Sequence, residues 1–245
     1  MQLKPMGTAM CSIAQIDGST ATVVSNPTKA CALGPCSGAC KRLAAAQAML
    51  EIEAPAMTEP QFPIAIADEF TAEILKPYRD NATYLKAAEI VEVNDKTAIA
   101  GTEQKLIVGK GRFSIPESCY IDSTGHFNAV EFNICYNQLA YVLFAGCIDA
   151  GVMHKVRAGD VQIPTMTEFK HHQLPAMMIV ALESRYFKPL DSNDFTAELS
   201  INKISAVGNA WFFFTTITFS DREGVKAKGS VTLAFSPSYN PNTVH

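Results

Sequence analysis

Tyr120-Ile121-Asp122-Ser123-Thr124-Gly125-His126-Phe127-Asn128-Ala129-Val130-Glu131 runs without a break into Phe132-Asn133-Ile134-Cys135-Tyr136-Asn137-Gln138-Leu139-Ala140-Tyr141-Val142-Leu143-Phe144. The first half is polar and turn-like. The second is apolar on nearly every helical face. This pattern predicts a helix from about Asn128 to Ala150, stopped by Gly151, that lies inside the protein because no face is left for water. Asn128, Glu131, Asn133, Asn137 and Gln138 interrupt it. Buried polar groups cost free energy unless they are paired, so this is the place to look for chemistry.

Working outward, the flanking sequence supplies a wall for such a helix. Downstream, a helical piece from Met166 to Gln173 precedes a strand from Ala176 to Phe187. After the loop Pro189 to Asp194, two long strands, Phe195 to Ala206 and Asn209 to Ser220, pair around Val207-Gly208. A last strand, Val225 to Phe235, returns after the turn Asp221-Arg222-Glu223-Gly224. Upstream, Asp68 to Leu75 has helical spacing with acids in its first turn and Pro77 beyond its end. Strand-like segments from Tyr84 to Val93 and from Thr97 to Phe113 flank the turn Asn94-Asp95, with Gly101, Gly109 and Gly111 as bulge or bend points. An antiparallel sheet curled around one long apolar helix satisfies both elements, so the pattern predicts an α+β hotdog fold over residues 64–236. No phosphate-binding glycine fingerprint supports a Rossmann or P-loop alternative.

Residues 1–53 read as a small extension. Asp17-Gly18 is a two-residue hairpin signal, and Lys41 to Leu50 holds strong helix formers. Between them a loop carries Cys31, Cys36 and Cys40. Their spacing departs from the C-x2-C of most zinc sites, so a metal role for them is a weak possibility beside plain packed thiols. Residues 54–63, with Pro55, Pro60 and Pro63, read as a linker, and 237–245 as a tail.

Composition narrows the function classes. The chain has 245 residues, 48% of them hydrophobic, and 20 basic against 24 acidic side chains. No basic run with interleaved aromatics suggests nucleic acid, and no apolar run approaches the roughly 20 residues that span a bilayer. Met1-Gln2-Leu3-Lys4-Pro5 lacks a signal peptide's apolar core. Cys119, Cys135 and Cys147 stand singly in apolar contexts, which fits a reducing compartment, and the cytoplasm is the expected location.

Phe113 to Phe144 resembles the FcoT-type long-chain acyl thioesterase family of hotdog proteins. The matching residues are Glu117-Ser118, Tyr120-Ile121, the unbroken run Ser123 to Glu131, and Asn137-Gln138-Leu139-Ala140-Tyr141. Leu75-Lys76-Pro77-Tyr78, His172-Gln173-Leu174 and Ser184 to Leu190 resemble further landmarks of that family, so the likeness covers about residues 64–236. It implies activity on fatty acyl groups held as thioesters of coenzyme A or acyl carrier protein, without a cofactor. Carried over position by position, the functional residues would be Tyr78, Tyr120, Asn128 and Asn137. The resemblance also implies a second chemistry, the addition of glycine across the double bond of a 2-enoyl carrier-protein thioester.

Both chemistries pass through a negatively charged oxygen, which the unpaired N–H groups at a helix start would stabilise. The backbone of Gly125, His126, Phe127 and Asn128 is the candidate donor set, although Asn128 is equally a preferred N-cap. Asn137 lies nine residues on, so one helix face cannot bring both asparagines to one point, and a homodimer sharing a cleft would resolve this. Tyr120 and Tyr78 are either donors to the carbonyl or, respectively, a paired core tyrosine and a channel wall. No G-x-S-x-G elbow is present. His126 and Glu131 are the candidates for direct proton transfer, and water oriented by Asn and Tyr is the preferred nucleophile. The expected function is therefore long-chain acyl thioester hydrolysis, with glycine addition as the alternative and a non-catalytic acyl-binding hotdog as the third.

Overall fold

The computed structural model describes residues 60–94, 105–122, 127–156, 163–208 and 210–236. The hairpin, cysteine loop and short helix expected over residues 1–53 lie outside these, as do Gly101, Gly125, His126 and the tail 237–245.

The elements in order are β1 (Ile64–Ile66), α1 (Asp68–Leu75), β2 (Leu85–Val93), β3 (Ile107–Phe113), α2 (Ala129–Asp149), α3 (Met166–Ala176), β4 (Met177–Tyr186), β5 (Phe195–Val207), β6 (Ala210–Asp221) and β7 (Gly224–Phe235). The strands form one antiparallel seven-stranded sheet in the order β1-β2-β3-β5-β6-β7-β4. With the central helix α2 this is the hotdog fold that the alternation of strands around one apolar helix predicts. The short edge strand β1 went unread in the sequence, because three residues carry too little period to signal a strand.

Fourteen of the 21 residues of α2 are buried, so it is a core helix rather than a surface one. Gly151, at φ +66°, ends it in the left-handed region as the sequence predicts. Gly109 and Gly111 of β3 set the distance between helix and sheet. A Cβ on Gly109 would meet Leu143 at 2.5 Å, and one on Gly111 would meet Leu85 at 2.8 Å and Leu139 at 3.0 Å. Both glycines stay in regular register with β5; against β2, Gly111 is regular, and the extra residue at Ile90/Glu92 lies on β2 opposite Gly109, so the bulge is carried by β2 rather than by the glycine. Their role is thus close approach of α2, not the bulge that the sequence suggested.

β4 is the sheet edge opposite β1, hydrogen-bonded to β7 on one side. Met178, Val180 and Leu182 on it are exposed.

Candidate functional site

Two sequence-local devices build the start of α2. Asn128 is the N-cap, its side-chain oxygen accepting from the Val130 N–H at 2.6 Å, while the Glu131 side chain accepts from the Asn128 N–H at 3.2 Å. This reciprocal capping box closes two of the helix's open donors. Phe127, just before the cap, packs its ring on Phe132 at 6.4 Å between centroids, a hydrophobic staple. Phe127 also meets Phe219 at 5.0 Å and Phe195 at 5.5 Å, which anchors the helix start to β5 and β6. The Asn128 N–H, expected to be open for a thioester oxygen, is therefore taken by Glu131. The capping role weighed for Asn128 is what its geometry shows.

Glu131 is the centre of the site. It is fully buried. Besides the Asn128 N–H, it accepts a hydrogen bond from the Ser118 hydroxyl on one oxygen and from the Tyr120 hydroxyl, at 3.3 Å, on the other. The Tyr120 oxygen in turn accepts from Asn128 Nδ2 at 2.7 Å. The donors run in one direction, Asn128 to Tyr120 to Glu131, and end on a group that accepts from three sides, the bonding pattern of a carboxylate. Among the described residues no cation lies within ion-pair distance of it. Its neighbours are neutral acids. Burial first, and then the charge of Glu131, push the Cys135 thiol well above its usual range. Burial chiefly, with Glu131 contributing, raises Tyr84 and Tyr186 as well. A buried carboxylate held by neutral donors is a place where a cationic group would be favoured.

The other predicted residues are Asn137, further along α2, and Tyr78, in the turn after α1. Asn137 is nine residues from Asn128, about 13 Å along the axis, and its amide reaches Asn133 at 3.5 Å. Asn133, Ile134 and Asn137 form a half-buried stripe continuous with exposed Val130. Tyr78 is half-buried against the core, and burial first, then Tyr141 and Cys135, raise its phenol above the usual range. Within one chain, hydrogen bonds link Tyr120, Asn128 and Glu131, and among the described residues no such bond joins Tyr78 or Asn137 to them.

Three residues of the site went unassigned in the sequence. Ser118 holds Glu131. Gln138, the buried amide of mid-helix, accepts from the Tyr84 and Leu85 N–H groups at 2.9 Å each and donates to the Ala82 carbonyl at 2.6 Å. Tyr84 accepts from the Cys119 N–H at 2.9 Å. Gln138 was visible as a polar break in an apolar run. Nothing local marks Tyr84.

Comparison with known proteins gives the same region. A (2E)-enoyl-[ACP] glycyltransferase of Streptomyces coeruleorubidus is 32% identical over 168 residues, covering 66% of this chain and 93% of that protein. One of Mycobacterium bovis is 33% identical over 175 residues, covering 70% and 87%. Among solved structures, zebra fish thioesterase superfamily member 2 aligns with 10% identity over 69% of this chain and 95% of its own, at a TM-score of 0.38. No helix among the described residues is long and apolar enough to cross a membrane. The model of the FcoT-like thioesterase domain matches residues 73–235, and the chain belongs to that family of proteins acting on acyl thioesters.

Proposed function

We infer that the chain adds glycine across the C2–C3 double bond of a (2E)-enoyl group held as a thioester on acyl carrier protein. The observation that carries this reading is Glu131, a buried carboxylate fed by neutral donors and, among the described residues, without a paired cation. Glycine arrives as an ammonium, which such a carboxylate attracts and can relieve of a proton. The amine nitrogen then bonds to C3, electron density passes to the thioester oxygen, and C2 takes up a proton while the thioester stays intact. The nitrogen attacks two atoms from the carbonyl carbon, so the anionic oxygen and the amine that Glu131 serves lie at different atoms of the substrate. In hydrolysis, nucleophile and oxyanion share one carbon, and the same carboxylate would stand beside both charges. The second N–H of Asn128 Nδ2, beyond the one given to Tyr120, is the side-chain donor left for that oxygen, because the single Tyr120 proton is given to Glu131. The names of the relatives support the same chemistry.

Hydrolysis remains the second reading, because the matching family is described as a thioesterase domain and an ordered water would meet the same groups. Acyl-coenzyme A is the alternative carrier.

The active form in this reading is a homodimer. Among the described residues β4 has no neighbour on its outer edge; that edge carries Glu183 and Arg185, paired with each other at 2.8 Å, and antiparallel pairing of two copies centred on Ser184 would set each Glu183 opposite the partner copy's arginine as well. The half-buried Asn133–Asn137 stripe is then available to the second copy's cleft, which gives Asn137 and Tyr78 a role that one chain does not.

Mass spectrometry of enoyl and acyl groups on carrier protein and on coenzyme A, with and without glycine, tests the proposal. The expected result is a gain of one glycine with the thioester intact. Release of free thiol irrespective of glycine would mean hydrolysis, and no change in any mass would refute both.

A further inference from the structure

The arm that delivers Ser118 and Tyr120 to Glu131 is held by a residue outside the reacting groups. Tyr84, just before β2, is 1% exposed. Its backbone is fixed on both sides: its N–H donates to Gln138 Oε1 at 2.9 Å, and its carbonyl accepts from the Ser114 N–H at 3.0 Å. Its ring therefore projects from a rigid base on α2 and β3. At the far end its oxygen accepts the Cys119 N–H at 2.9 Å.

Cys119 is the residue between Ser118 and Tyr120. The preceding segment is fastened where the Ile115 N–H donates to the Ser192 carbonyl at 2.7 Å. From there to Asn128, the tie from Cys119 to Tyr84 is the backbone attachment found among the described residues. Ser118 and Tyr120 flank Cys119 in a bend and both reach Glu131, so one bond at the middle residue sets the aim of both hydroxyls. Ser118 reaches one oxygen of Glu131 and Tyr120 the other. Among the described residues the groups facing Glu131 are neutral: Ser118, Cys119 and Tyr120 on the arm, Tyr84 before β2, Cys135 on α2 and Tyr186 on β4. Aim, not charge, is what the arm supplies.

We propose that Tyr84 is a positioning residue for the reaction: its hydroxyl orients the Ser118–Tyr120 arm, and through it the carboxylate of Glu131. This rests on the reading of Glu131 as the group that takes the amine proton. Loss of one neutral hydrogen bond in the aiming chain corresponds to about a tenfold loss in rate.

The test is a kinetic double-mutant cycle on the full chain, with enoyl-carrier protein and glycine as substrates. Tyr84→Phe is combined with Ser118→Ala and with Glu131→Gln, and turnover is expressed per folded molecule from near-ultraviolet circular dichroism. Tyr84→Phe is expected to lower kcat about tenfold, with KM for the enoyl-carrier protein unchanged. It should lower kcat no further once Ser118 is already altered. An equal loss in the Ser118→Ala background would mean that Tyr84 acts independently of the arm, and that result overturns the proposal, as does an unchanged kcat in the single variant, the outcome for a residue that only stabilises the fold. If Glu131→Gln keeps full turnover, the assignment of Glu131 itself has failed and the positioning role falls with it. If Glu131→Gln is inactive but Tyr84→Phe is not impaired, Tyr84 alone is wrong. Should Tyr84→Phe not accumulate as folded protein, Cys119→Pro deletes the same bond from its other end and carries the same expectation.

Discussion

Replacing Glu131 by glutamine separates the chemistry of the site from its packing. The side chain is fully buried and receives three hydrogen bonds, from Ser118, Tyr120 and the Asn128 N–H. Glutamine has nearly the same shape. Its oxygen can keep the bonds from Tyr120 and Asn128, and its amide can donate to Ser118, whose hydroxyl turns to accept. Geometry is thus retained and charge is lost. Each charge-assisted bond weakens by about 1 kcal/mol, roughly 3 kcal/mol in all. Against this, the desolvation of a buried ion, a cost of several kcal/mol, disappears. The two nearly cancel, so Tm should stay within about 5 °C of the parent or rise. Turnover should not survive, because a positioned base contributes about 10²- to 10⁴-fold. Thermal unfolding and the glycine-addition assay, run on the same preparation, read both quantities. Turnover within about threefold of the parent would refute the catalytic assignment. A Tm lowered by about 10 °C or more with activity falling in proportion to folded protein would make Glu131 structural instead.

Three other outcomes follow from the packing. In Gly229→Ala the new Cβ would lie 2.5 Å from both the Glu183 carbonyl oxygen and the Phe132 ring, and a backbone atom cannot swing aside; a loss of about 1–3 kcal/mol in urea unfolding is expected. Asp221 is opposed by burial, but the Asp191 and Glu223 N–H groups and the Lys226 ammonium outweigh this and hold its carboxyl below its usual range. A lowered folded value means stability that is present at neutral pH and lost as pH falls below about 4, so Asp221→Asn should lower Tm at pH 7 and much less at about pH 3. Burial pushes the Cys147 thiol up to about 12, and iodoacetamide at about pH 8, followed by peptide mapping, should leave Cys147 unmodified in the folded protein while half-buried Cys119 reacts.

The polar residues of the central helix show what the sequence could and could not say. The helix itself, its stop at Gly151 and the β5–β6 hairpin around Gly208 were legible, because apolar period and positive-φ glycines are local signals. The cap was legible too: Asn128 with Glu131 three residues on, between Phe127 and Phe132, is a capping box inside a hydrophobic staple. Read as open oxyanion donors, the same N–H groups were given a task that Glu131, reaching back from the next turn, already performs at Asn128. What stayed hidden depends on closure of the sheet. Ser118 meets Glu131 across 13 positions, and Gln138 meets Tyr84 across 54. No period or spacing marks such pairs. Closure also sorts the five polar breaks into different tasks. Gln138 spends its amide on the β2 backbone and so builds the wall. Asn128 and Glu131 close the helix start while keeping a carboxylate buried behind neutral donors. Asn133 and Asn137, half-buried and bonded weakly to each other, are the pair whose hydrogen-bonding capacity the single chain leaves unused. A buried-helix pattern predicts that polar residues must be satisfied. It does not say which of them are satisfied by the fold, which by a substrate and which by a second copy, and that division is where function enters.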